Sequence, residues 1–138
     1  MPRQQTYIML KPDAIRRGLI GQIISRIENK GFQIKRAEMM TLSEEMIKEH
    51  CSHLRDKPFF PELAAYMTSG PVLSMVVEGE EAILAMRQLM GPTNVFEAQP
   101  GSIRGDYAHS MTENIIHGSD SPENAAIEIK RFFGDSNL

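Results

Sequence analysis

Among four histidines in this chain, His117 stands where a nucleophile would be useful. It sits in Asn114-Ile115-Ile116-His117-Gly118-Ser119-Asp120-Ser121-Pro122. Ile115 and Ile116 read as a buried strand end, so the imidazole leaves a rigid element. Gly118 beside it predicts room for a bulky group to approach. A helix start follows at once, with Ser121 as N-cap, Pro122 in the first helical position and Glu123 in the first turn. Neutral imidazole is the best side-chain nitrogen nucleophile near neutral pH, and a helix N-terminus favours anions. Together these features point to an attack on phosphate.

Phosphoryl transfer asks a protein mainly for positioning and charge stabilisation. A triphosphate needs cations and donors around its oxygens, usually with Mg²⁺ between them. The candidates are Lys11, Arg87, Thr93 and Arg104, scattered along the chain, and spacing alone does not gather them. A second constellation is His50-Cys51-Ser52-His53, whose two histidines fall on one helical face. A closed zinc site usually needs four ligands, and no partner pair is evident, so polar face residues are the blander reading of this pair.

The elements that must position these groups can be read in order. Residues from Gln5 to Leu10 read as a first strand, ended by Lys11-Pro12. Ile20, Ile23, Ile24 and Ile27 repeat at helical spacing and predict an amphipathic helix, with Gly31 just past its end. Phe32 to Met40 reads as a second strand. Ser43, with Glu44 and Glu45, opens a helix running to about Leu54. Pro58 opens another, through Phe60 and Met67, stopped by Gly70-Pro71. Val72 to Val77 is a continuous apolar run and reads as a central strand. Glu80 to Met90 is helical, and Gly91 to Thr112 reads as a long loop of the functional or mobile kind. Asn114 to His117 is the last strand and Ser121 to Phe133 the last helix, leaving a short tail from Gly134. The order predicts an α+β domain: a ferredoxin-like four-stranded antiparallel sheet covered by helices, as one unit over residues 1–138.

Composition narrows the function. A hydrophobic content of 41% and charged content of 24% are those of an ordinary globular protein. No apolar run reaches the ~20 residues that span a membrane, and the first residues lack a signal peptide's apolar stretch, so a cytoplasmic protein is expected. A net charge of −3 argues against dedicated nucleic-acid binding. Cys51, the single cysteine, excludes an intrachain disulfide. The ten methionines read as adaptable core filler.

The segment Asn-x-x-His-Gly-Ser-Asp-Ser around His117 resembles the active-site signature of the nucleoside diphosphate kinases. Lys11-Pro12-Asp13-Ala14, Lys57-Pro58-Phe59-Phe60, Ser69-Gly70-Pro71, Gly91-Pro92-Thr93-Asn94 and Pro100-Gly101-Ser102-Ile103-Arg104-Gly105-Asp106 are similar to that family's other blocks, in the family's order. The similarity runs from about Thr6 to Phe133. It implies that the γ-phosphate of ATP, or another triphosphate, passes to a nucleoside diphosphate by a ping-pong route through phospho-His117. It also implies that Arg87, Thr93 and Arg104 hold the phosphates, that Lys11 and Asn114 bond the sugar hydroxyls, with Lys11 also near the terminal phosphate, that Phe59 stacks on the base and that Leu63 lines the base contact. Glu128 would fix the second nitrogen of His117, and Ser119 would support it. Mg²⁺ would be carried by the nucleotide phosphates, with no metal-ligating protein side chain. The alternative is a nucleotide-binding regulatory homologue with little turnover.

The resemblance also implies a homo-oligomer, a hexamer favoured over the tetramer of some bacterial members. Two positions depart from the family pattern. Cys51 stands where the family usually has a Tyr whose hydroxyl lies near the transferred phosphate, and activity is expected to survive the change. Val95 stands where the family usually has Pro, which is expected to loosen the long loop.

Overall fold

A computed structural model describes residues 3–134. The strands are β1 (Arg3–Leu10), β2 (Gln33–Met40), β3 (Val72–Glu80) and β4 (Ile116–Gly118). The helices are α1 (Pro12–Arg16), α2 (Ile20–Asn29), α3 (Glu44–His50), α4 (Phe60–Met67), α5 (Ala82–Met90), α6 (Ile103–Tyr107) and α7 (Pro122–Phe133). The strands form one antiparallel sheet in the order β2-β3-β1-β4. Each sequential pair, β1 with β2 and β3 with β4, is split by a strand from the other half, the ferredoxin-like arrangement expected from the sequence.

Side chains alternate across a strand, so β1 feeds two cores at once. Ile8 and Leu10 join Ile23 and Ile27 of α2 and Met86 and Met90 of α5 on one face. Tyr7 and Met9 join Ile47, Phe60, Met67, Phe132 and Phe133 on the other. Five buried methionines, Met9, Met67, Met75, Met86 and Met90, carry the core-filling role, while Met39 and Met111 stay exposed. None of the described helices is long and apolar enough to cross a membrane.

Several boundaries differ from the expected ones, each for a local reason. α3 stops at His50 because Cys51 leaves helical geometry (φ −110°, ψ 37°), and residues Ser52–Leu54 make a separate tight turn. α4 starts at Phe60, not Pro58, because Pro61 takes the first-turn position where a missing N–H costs nothing. β3 continues to Glu80, and Glu81, in the left-handed region at φ 53°, separates it from α5. The 91–112 loop contains a tight turn over Val95–Glu97, capped by the Asn94 side chain, and the short helix α6. Ser102 Oγ caps α6 by accepting from Gly105 N at 3.0 Å. Five residues are too few to show a helical period. The tail beyond Gly134 lies outside the described residues.

Candidate functional site

The approach to His117 is not a plain strand. Ile115 has φ 77°, and Ile116 N donates to Asn114 O at 2.8 Å, so the chain makes a tight γ-turn before β4 begins. A β-branched residue rarely holds positive φ. Here the turn is tied from outside: Lys11 N donates to Ile115 O at 2.8 Å, and Ile115 is fully buried. β4 then pairs with β1, placing His117 opposite Met9. Contrary to the expectation from the sequence, the missing Cβ of Gly118 does not open space for a substrate. Gly118 is buried, and a Cβ there would lie 2.8 Å from Met90 Sδ and 3.1 Å from Ile8 Cδ1. The glycine lets α5 pack tightly beneath the strand that carries His117.

Ser121 caps α7 by accepting from Asn124 N at 3.1 Å, and the helix carries Glu128 to the site. Glu128 Oε1 lies 3.0 Å from His117 Nε2 and accepts from Ser119 Oγ at 2.6 Å. Burial pushes the Glu128 carboxyl up, but the bonds from His117 and Ser119 outweigh it and hold the group below its ordinary range. An ionised carboxylate only accepts, so it draws the imidazole proton to Nε2 and leaves the lone pair on Nδ1.

Opposite lies a cleft of about 870 Å³. Lys11, Phe59, Leu63, Arg87, Thr93, Arg104, Asn114, His117 and Glu128 all line it; Ser119 is buried behind Glu128. The structure therefore gathers the residues that spacing left scattered. Phe59 is half exposed, whereas Phe60 is core. Arg87 and Thr93 are exposed at the rim. Lys11 Nζ donates to Asn114 Oδ1 at 2.6 Å. Burial, reinforced by the charge of Arg104, pulls the Lys11 ammonium down to about 8.

Arg104 does more than the sequence suggests. It is buried and donates to three carbonyls: Gly91 O at 3.0 Å, Asn114 O at 3.4 Å and Ile116 O at 2.5 Å. One guanidinium thus joins the start of the long loop to both sides of the γ-turn. Burial, then repulsion from Arg87, lowers its pKa to about 10. Three of its five N–H groups serve these bonds, leaving two for a ligand.

Sequence reasoning missed Arg131 and misread His50. Both line the cleft, and Arg131 falls three residues after Glu128, a same-face spacing that α7's periodicity could have flagged. His50 does not converge with His53 but with His117 and Glu128. Ligand atoms of these three lie within 4.8 Å of one another. Arg131 and Ser119 already occupy His50 Nδ1 and Glu128 Oε1. Cys51 also lines the cleft; burial raises its thiol pKa, with the Lys11 charge opposing.

The family profile for nucleoside diphosphate kinase matches residues 4–138. A nucleoside diphosphate kinase of Methanosarcina barkeri is 52% identical over 135 residues, covering 98% of this chain and 91% of that protein. The fold matches a nucleoside diphosphate kinase from Encephalitozoon cuniculi with a TM-score of 0.93 at 46% identity, covering 98% of this chain and 93% of the other. It also matches a halophilic nucleoside diphosphate kinase from Halobacterium salinarum in complex with CDP, at TM-score 0.93 and 45% identity, covering 97% and 90%. The chain belongs to the nucleoside diphosphate kinase family.

Proposed function

We propose that His117 is the group through which this chain moves phosphate. The chain acts as a nucleoside diphosphate kinase, passing the γ-phosphate of ATP or another triphosphate to a nucleoside diphosphate. The observation that carries the residue assignment is the His117–Glu128–Ser119 relay at the floor of a cleft that also holds Lys11, Arg87 and Arg104. The Nδ1 lone pair attacks the γ-phosphorus in line. The bond to the bridging oxygen breaks, and the diphosphate leaves with that electron pair. Nε2–H stays on the ring, and Glu128 stabilises the positive charge that the phosphoimidazole gains. In the second step an oxygen of the acceptor diphosphate attacks phosphorus, and the imidazole leaves neutral. This is a ping-pong sequence.

Arg87, Thr93 and Arg104 hold the phosphates; an Arg fork suits paired oxygens. Lys11 and Asn114 bond the sugar hydroxyls, and Lys11 reaches toward the terminal phosphate. Phe59 stacks on the base, with Leu63 beside it. Stacking accepts any base, because every base has a π-face. Beside His117 the cleft sets Lys11, Arg87 and Arg104 against a Glu128 already committed to His117 and Ser119, while its other carboxylates, Glu49, Glu62 and Asp120, come from separate elements, so the donor set suits phosphates that bring their own Mg²⁺. The chain works as a single domain, 1–138, in a homo-oligomer, the hexamer favoured. Exposed Met39 on the edge strand β2 and Phe96 in the long loop are apolar surfaces suited to subunit contacts. A cytoplasmic location fits the single free Cys51.

The test is single-turnover labelling with γ-labelled ATP and Mg²⁺ and no acceptor, comparing the wild type with His117→Ala. The wild type should take up an acid-labile, base-stable label and release it when a diphosphate is added, and the variant should take up none. A wild type that binds ATP but stays unlabelled would be a nucleotide-binding homologue without turnover.

A further inference from the structure

Nucleotide binding does not account for His50. The residue closes α3, and its ring meets the His117 ring edge to face, with centroids 4.8 Å apart and planes at 85°. Phe132 packs against it from α7 at 5.1 Å and 75°. Arg131 Nη1 lies 2.9 Å from His50 Nδ1. A guanidinium only donates, so Nδ1 accepts and a neutral His50 carries its proton on Nε2. The pairing fixes both the tautomer and the plane of the ring.

α7 therefore reaches two imidazoles from one face. Glu128 bonds Nε2 of His117, and Arg131, three residues on, bonds His50. A single hydrogen bond at Nε2 leaves His117 a soft torsion, because the χ2 well of an imidazole is broad. In-line attack tolerates little misalignment. The His50 ring is set nearly perpendicular to that of His117 at 4.8 Å, closer than the tilted Tyr7 ring at 6.1 Å.

We propose that His50 is a positioning residue for phosphoryl transfer: clamped by Arg131, its ring backs the His117 ring and holds the nucleophile in the attacking plane. The proposal rests on His117 being the nucleophile. The groups facing His50 are His117 from β4, Glu128 and Arg131 from α7 and Lys11 after β1, with Glu49 and Cys51 beside it in sequence. Burial, then the His117 charge, pulls the His50 pKa well down; Arg131 and Lys11 act the same way, and Glu128 opposes them. A neutral ring beside the nucleophile neither repels its developing charge nor competes for its proton.

The experiment measures the rate constant for phosphorylation of His117 by ATP in single turnover, and ADP affinity by calorimetry. It compares wild type, His50→Ala, His50→Gln and Arg131→Met, with ¹⁵N NMR of the His117 ring. Expected for His50→Ala is a fall of about tenfold to a hundredfold in the phosphorylation rate constant, with ADP affinity held. The ¹⁵N shifts should move toward a mixture of tautomers or ring orientations. Gln keeps an acceptor for Arg131 and should recover part of the rate, and Arg131→Met should resemble His50→Ala in part. If His50→Ala phosphorylates at the wild-type rate with unchanged His117 shifts, the idea is wrong. It is equally wrong if rate and ADP affinity fall together and Gln rescues neither, since His50 would then serve folding or binding alone. An unlabelled wild type would instead overturn His117 as nucleophile.

Discussion

Lys11 gives the cleft a pH response that can be worked out from one side chain. Its folded pKa, about 8, lies below the ordinary lysine value because burial and Arg104 disfavour its charge. Between that value and the unfolded one, the unfolded chain binds more protons, so ligand-free stability should rise as pH climbs through this window. The role proposed for Lys11 in nucleotide binding requires the ammonium, so affinity should move the opposite way. ADP titrations at pH 7 and pH 9 should show about a tenfold loss at the higher pH, and Lys11→Met should flatten the profile. Equal affinity at both pH values for the wild type would contradict this account. The residue scale was legible in part. His117, Glu128 and the cations were visible as residue types in family order. The duty of Arg104 toward three carbonyls was not, because backbone acceptors have no sequence signature.

At the scale of elements, the site is a junction of β4, α5 and α7, and Gly118 is where β4 lies close against α5 and β1. Gly118→Ala would force a methyl into Met90 and Ile8. Overpacking of this kind costs about 1–3 kcal/mol, read as a lower melting temperature. Because β4 carries His117 next door, the phosphorylation rate should fall as well; a stable, fully active variant would show that the strand moves freely over α5. Sequence periodicity found α2, α5 and α7, whose apolar stripes are long enough to read. It missed α6, with five residues, and overran α3, because no Gly or Pro marks the break at Cys51. Val95, expected to loosen the loop, is buried beside the Asn94 cap, where its side chain packs in place of the family's proline.

At the scale of the whole molecule, the sheet order followed from the sequence of strands and helices because few antiparallel arrangements bury all of these apolar faces. The cleft did not, since its walls come from the ends of the chain and from the middle: 103 residues separate Lys11 from its partner Asn114. The Ile115 γ-turn depends on those distant ties. Its backbone conformation costs about 1–3 kcal/mol, which is offset only once Lys11, Arg104 and the buried pocket for Ile115 are in place. β1 and β3 pair over eight residues, while β4 adds three. The strand that carries His117 is therefore expected to settle last. In a refolding experiment, far-UV circular dichroism should recover before phosphoryl transfer does, and the lag should shorten when nucleotide is present to hold Lys11 and Asn114 together. Identical recovery rates for both signals would mean that the turn forms with the sheet. A newly made chain would thus complete its architecture first and acquire its chemistry afterwards.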